Sequence, residues 1–149
     1  MRFDQPPPEP LVNAVGFLLS WNGQRIRHRF AEALEPLGLR PQHFGVLNLI
    51  AARPGTAQNE IVAQSMIDAS TMVKVVDELE QLGLAERRVD PHDRRRRAVH
   101  LTPQGEATLR RARTVAAKTA DDVLAPLDQD EREQLRTLLR KLAGAGPGG

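Results

Sequence analysis

The 149-residue chain contains no cysteine. That absence excludes disulfides, thiolate metal sites, cysteine nucleophiles and thiol redox switching. Tyrosine is missing too, and aromatic residues make up only 3% of the chain. A platform that stacks single-stranded bases needs several exposed rings, so duplex DNA is the better match for any nucleic-acid role. Long apolar runs are also lacking: stretches such as Val15 to Leu19 fall far short of the roughly 20 residues of a membrane helix. The first ten residues, with three successive prolines, carry no apolar core and no small-residue cleavage site. No signal peptide and no membrane partner are therefore expected, and the expected location is the cytoplasm.

Hydrophobic residues at 40% and charged residues at 27% describe a globular protein. One domain over 1–149 is expected, burying about two-thirds of its unfolded surface. The net charge is only +2, yet the charges are unevenly placed. Arg94 to Arg97 are consecutive, whereas Asp121, Asp122, Asp128, Asp130, Glu131 and Glu133 gather near the other end. Such separation points to one basic face.

The stretch from Asp68 to Thr102 organises the rest. Asp68 to Leu82 reads as a helix closed by Gly83, with Met72, Val75, Val76, Leu79 and Leu82 as its buried stripe. Asp68 is a candidate N-cap, and Ile67 and Met72 stand at the positions of a hydrophobic staple. A hairpin follows, with arms Leu84 to Val89 and Arg97 to Leu101 joined by the guanidinium-loaded turn 90–96. Ser70, Thr71 and Lys74 lie near the helix N-terminus, the end that a recognition helix presents to the major groove. Four adjacent arginines repel one another on a solvated turn, but a phosphate backbone or narrow minor groove gathers them. Asp93 stands two residues from Arg95, close enough to hold that guanidinium in one orientation.

Upstream, apolar residues from Leu11 to Leu37 recur every three or four positions, predicting one long helix whose excess length suggests a partner helix. Pro41 fits the first turn of a second helix, for which Arg40 is a poor cap. Thr56 looks like the cap of a short third helix, which with the Asp68 helix forms a helix-turn-helix. Downstream, Thr102-Pro103 opens a long helix with the stripe Leu109, Ala112, Ala116, Ala120, Val123 and Leu127. Asp128 and Glu131 have capping-box spacing at the start of a last helix, with Leu135, Leu138, Leu139 and Leu142 expected inward. Residues 1–10 and 144–149 are expected to be flexible tails.

The run Asp93-Arg94-Arg95-Arg96-Arg97-Ala98-Val99-His100-Leu101-Thr102-Pro103-Gln104-Gly105 resembles the wing signature of the MarR family of winged-helix regulators. In that signature Asp-x-Arg precedes a strand and then Leu-Thr-x-x-Gly, and Asp77 to Leu84 is similar to the end of the family's recognition helix. The resemblance covers about residues 11 to 143. It implies an α+β, mostly helical fold, with a winged helix-turn-helix lobe over 38–103 and dimerisation helices over 11–37 and 104–143. It also implies a homodimer on a pseudo-palindromic operator, most naturally a repressor. DNA contacts would then fall to Ser70, Thr71, Lys74, Asp93, Arg94, Arg95, Arg96 and Arg97. Arg95 would enter the minor groove, with Arg94, Arg96 and Arg97 adding mainly charge. Lys74 stands where arginine is common, which favours a phosphate contact over bidentate guanine reading. Arg40 stands where a threonine cap is common.

Many members of the family respond to small aromatic or phenolic effectors, and here Trp21, Arg25, His28, His43 and Phe44 are the residues most able to build a pocket. Nothing in the sequence resembles a nucleophile elbow, a phosphate loop or a dinucleotide fingerprint, and His28, His43, His92 and His100 have no metal-ligand spacing. No catalytic residue, cofactor or metal is expected. The competing readings are a winged helix used as a protein-interaction module and a sequence-independent architectural DNA binder.

Overall fold

Residues 5–146 are described in the computed structural model; residues 1–4 and 147–149, where the expected tails begin and end, lie outside them. The single helix expected from Leu11 to Leu37 is three pieces. A 3-10 turn at Leu11–Asn13 is followed by extended Ala14, and helix α1 (Val15–Leu34) then runs into a second 3-10 turn at Glu35–Leu37. Helix α2 (Pro41–Ala52) starts at its proline as expected. Arg40, which has no acceptor, cannot cap it by side chain. The ring of His43 does part of that work, its Nδ1 accepting the Arg40 backbone N–H at 3.0 Å.

Thr56 is not the cap of the next helix. With Ala57 it forms a short strand β1 (Thr56–Ala57), pairing with Val99 and Ala98, and helix α3 (Gln58–Gln64) begins after it. Strand pairing holds Thr56 buried in the sheet, where its hydroxyl donates to Glu60 Oε2 at 3.1 Å instead of accepting from a helical N–H. Helix α4 (Ala69–Gln81) begins at its expected cap, the Asp68 carboxylate accepting Thr71 N–H at 2.8 Å. Gly83 turns the chain at φ +72°, a left-handed conformation that glycine adopts without strain.

Strands β2 (Ala85–Val89) and β3 (Arg97–Leu101) pair antiparallel from Ala85↔Leu101 to Val89↔Arg97. The sheet order is β1-β3-β2, so the hairpin gains a third strand that two residues are too short to announce by alternation. Helix α5 (Pro103–Val123) follows at once, capped by Thr102, whose Oγ1 accepts Gly105 N–H at 3.0 Å and donates to the Gly83 carbonyl at 2.6 Å. Helix α6 (Gln129–Leu142) opens on the Asp128–Glu131 box, made in both directions.

The core lies between α2, α4, the sheet and the first half of α5. Met72, Val75, Val76 and Leu79 from α4 meet Val46, Leu47 and Ile50 from α2, Val99 from β3 and Leu109 and Ala112 from α5. Fully burying each large aliphatic side chain of this set stabilises the fold by about 1.5–3 kcal/mol. Leu82 departs from the expected stripe: it is the C-cap of α4 and remains 41% exposed. Ala116 and Ala120 on α5, and Leu127 beyond its end, are only half-buried, while Thr119, a polar residue outside the expected stripe, is buried with its hydroxyl on the Val115 carbonyl. The α6 leucines do not point inward within one chain. Leu135 is half-buried, and Leu138, Leu139 and Leu142 are exposed, Leu142 by 71%. No described residue of the chain covers them.

Candidate nucleic-acid interface

The exposed face of α4 carries Ser70, Val73, Lys74, Asp77 and Gln81. At its start one carboxylate collects three donors. Asp68 Oδ1 accepts from Thr71 N–H at 2.8 Å and from the Ser70 hydroxyl at 2.7 Å, and Oδ2 accepts from the Thr71 hydroxyl at 2.8 Å. The Thr71 N–H, then the Ser70 hydroxyl, then the Thr71 hydroxyl hold the Asp68 carboxyl down at about 2. Both hydroxyl protons are thereby committed to Asp68, so what Ser70 and Thr71 still offer outward is lone pairs. These suit a base amino group better than a phosphate. Lys74 is exposed and has no ion pair or hydrogen bond among the described residues, leaving its ammonium available.

The four arginines of the wing have different jobs. Arg94 and Arg95 project from the turn with no side-chain hydrogen bond or ion pair among the described residues. Arg96 instead spans two carboxylates, with Nη1 on Asp90 Oδ2 at 2.8 Å and Nη2 on Glu60 Oε1 at 2.7 Å. It therefore ties the wing to α3 and does not simply add charge. Its guanidinium holds the Glu60 carboxyl below its ordinary value, and the two carboxylates hold Arg96 above its own. Arg97 donates from Nη1 to the Arg94 carbonyl at 3.1 Å, closing the turn.

Asp93 does not hold the Arg95 guanidinium. Its Oδ1 accepts the Arg95 backbone N–H at 2.9 Å, as Asp90 Oδ1 accepts that of His92 at 2.8 Å. Two successive Asx turns thus fix the loop backbone, and Arg95 is aimed by its main chain. The His92 N–H, then Arg96, keep the Asp90 carboxyl below its usual range.

Arg87 is a site residue that the sequence reading missed. Its Nη1 meets Asp77 Oδ1 at 2.7 Å and Glu80 Oε2 at 3.1 Å, and its Nε and Nη2 both donate to Gln58 Oε1. Its backbone N–H donates to Glu80 Oε1 at 2.8 Å. One half-buried arginine on β2 therefore locks the wing to both helices of the helix-turn-helix. The available signal was the pair Asp77 and Glu80, three apart on one face of α4, opposite an arginine at an alternating strand position. On the far flank of α4, Glu78 accepts from His43 Nε2 at 2.8 Å and pairs with Arg40. Because Nδ1 of His43 accepts a backbone N–H, the proton sits on Nε2 and is donated to Glu78.

None of the five residues expected to form an effector pocket lines the cleft between α2 and the α3–α4 turn. His43 is buried and committed to Arg40 and Glu78. Phe44 packs edge-to-face on Phe30 with centroids 5.0 Å apart, Trp21 leans on Phe17 at 5.8 Å, and His28 faces Glu32 one turn on at 3.3 Å. Arg25 has its Nε buried without a hydrogen-bond partner among the described residues. A cleft of about 360 Å³ opens elsewhere, between α2 and the α3–α4 turn, lined by Arg27, Gly45, Val46, Leu49, Met66 and Ile67. No helix among the described residues is long and apolar enough to cross a membrane.

The MarR family profile matches residues 37–96, which span α2 through the wing. The chain is 38% identical over 133 residues to a protein of Thauera aromatica described as a putative transcriptional regulatory protein for the hcr operon, covering 89% of this chain and 80% of that one. Among solved structures it superposes on the transcriptional repressor CouR bound to a 23-mer DNA duplex, with TM-score 0.83 and 34% identity over 91% of this chain and 96% of that chain. It also superposes on CouR from Rhodococcus jostii RHA1 bound to p-coumaroyl-CoA, with TM-score 0.78 and 29% identity over 95% of this chain and all of that one. Similarity therefore extends well past the wing signature, through the helices on either side. With the winged helix-turn-helix geometry, it establishes that this chain belongs to the MarR family of DNA-binding transcriptional regulators.

Proposed function

We propose that two copies of the chain join through α1, α5 and α6, set two lobes on a pseudo-palindromic operator in duplex DNA, and repress transcription until a small effector releases them. The observation that carries the DNA contact is the sorting of the wing arginines. Arg96 and Arg97 are used within the protein, and Arg94 and Arg95 are left projecting at the tip of a fixed loop. Arg95 then enters the minor groove, while Lys74 meets the backbone and the Ser70 and Thr71 lone pairs face base edges from the major groove. Asp93 acts by shaping the loop. The dimer is supported by the uncovered leucines of α6 together with Val15 and Leu19 on α1, which would otherwise face water. Two lobes reading one palindrome must stand about 34 Å apart, one turn of DNA. Such a regulator works where the chromosome is, in the cytoplasm.

For the effector, the cleft beside Arg27 is a better seat than the five expected residues. An aromatic acid would rest its ring on Leu49 and Ile67 and its carboxylate on Arg27. Its release of DNA requires that it bind the DNA-incompetent spacing of the lobes more tightly than the competent one. Similarity to a protein holding p-coumaroyl-CoA supports an aromatic ligand class.

Selection of binding sites from random duplex DNA tests the whole reading. Palindromic sites preferred over bulk duplex by about three or more orders of magnitude are expected. Equal affinity for all duplexes would make the protein an architectural binder, and no DNA binding at all would make its wing a protein-interaction module.

A further inference from the structure

Ser70, Val73, Lys74 and Asp77 share one exposed face of α4 at the spacing of helix neighbours. Two of them are engaged within the protein: Ser70 donates to Asp68, and Asp77 pairs with Arg87. Lys74 keeps its ammonium available, and beside it Val73 exposes 44% of its surface. Val73 stands at the border between this face and the buried stripe of Met72, Val75, Val76 and Leu79, about 100° around the helix from Met72. A β-branched residue is also a poor choice for a solvated helical position, where it loses side-chain freedom without gaining contacts. Its main chain is held from the wing, with Arg87 Nη2 donating to the Val73 carbonyl at 3.4 Å.

We propose that Val73 is a specificity-determining residue that packs against the C5 methyl of a thymine in the major groove, next to the contact made by Lys74. The inference rests on reading α4 as the major-groove helix. Of the groups on the base edges in that groove, the thymine methyl is the apolar one, and an aliphatic side chain is what recognises it. A helical valine is confined to essentially one rotamer, so its two methyls are presented with little entropy left to lose. Because Val73 has no side-chain donor or acceptor, the contact must be sensitive to the methyl and blind to the rest of the base.

Thymine and deoxyuridine differ only by that methyl, which gives a test needing no assumption about folding. An operator recovered from random duplex by the full-length protein is resynthesised with each thymine in turn replaced by deoxyuridine, and binding is measured for wild type, Val73→Ala and Lys74→Ala. One thymine per half-site is expected whose methyl removal weakens wild-type binding by about fourfold, which is ~0.8 kcal/mol per buried methyl at 1.4 kcal/mol per tenfold. Val73→Ala should bind the normal operator several-fold more weakly and be indifferent to deoxyuridine at that position. The inference is overturned if wild type ignores every substitution, or if Val73→Ala responds as wild type does. If Lys74→Ala weakens binding in either of those cases, the placement of α4 survives and Val73 alone is wrongly assigned. If neither variant changes affinity, or no preferred operator is recovered, the placement of α4 falls and the inference falls with it.

Discussion

A Cβ added to Gly105 would lie 1.9 Å from the carbonyl oxygen of Leu84. The first turn of α5 thus rests directly on the backbone that leaves α4, and Leu84 O also accepts Thr102 N–H at 3.1 Å. The Leu-Thr-x-x-Gly motif is a welded joint: threonine ties α5 to the Gly83 carbonyl, and glycine permits the approach. Gly105→Ala must push α5 or β2 aside, and should cost about 3 kcal/mol, at the upper end of ordinary overpacking. Thermal unfolding would show this as a fall in Tm of roughly 10 °C. An unchanged Tm would mean that the joint is looser than this contact requires.

Arg95 and Arg96 are sequence neighbours with opposite expected phenotypes. Arg95→Ala should leave stability unchanged, weaken operator binding and make the slope of log K against log salt shallower by about 0.9, as for one lost phosphate contact. Arg96→Ala frees Glu60 and Asp90 and loosens the wing, so hydrogen exchange should rise in β2 and β3 while the salt slope stays near that of wild type. Equal slopes for the two variants would contradict the division of labour among the arginines.

Asp68 carries a pH dependence whose sign is fixed by its direction. Its carboxyl titrates near 3.8 in an unfolded chain and at about 2 when folded, so folding favours the ionised form. The resulting stability is fully present above 3.8 and is lost as pH falls towards 2. Asp68→Asn should flatten this acid limb, and NMR titration of the Asp68 carboxyl should give a midpoint well below that of a free aspartate.

His43 joins the start of α2 to α4 through two hydrogen bonds made while buried. His43→Ala removes both and leaves a cavity, a loss of about 2–4 kcal/mol by denaturant unfolding. Operator affinity measured well below the unfolding transition should fall less than stability does, because His43 is buried between α2 and α4 and is not among the exposed groups offered to DNA.

Leu138 and Leu142 test the assembly. Replacing both with glutamate leaves the core of one chain untouched, since both side chains are exposed within it. Sedimentation should change from dimer to monomer while the helical circular dichroism is kept, and affinity for a palindrome should fall by at least about 100-fold as the second half-site is lost. A variant that remains dimeric would move the interface elsewhere.

The sequence by itself determined whatever depends on neighbours along the chain. The caps at Asp68, Thr102 and Asp128, the stop at Gly83, the hairpin and the apolar stripe of α4 follow from spacing and local hydrogen-bonding chemistry, and they were enough to point to a winged helix. Tertiary structure decided the partners of the polar side chains. Nothing local distinguishes Arg96 from Arg95, because what separates them is Glu60, brought from 36 residues away. Arg87 and His43 became joints for the same reason, Thr56 became a strand because β3 lies alongside it, and of the residues expected to line a pocket His43 is bound to Arg40 and Glu78 and Phe44 to Phe30. The inward face expected for α6 shows the remaining limit: periodicity establishes that Leu138 and Leu142 share an apolar face, but only the fold shows that no described residue of the chain packs over it.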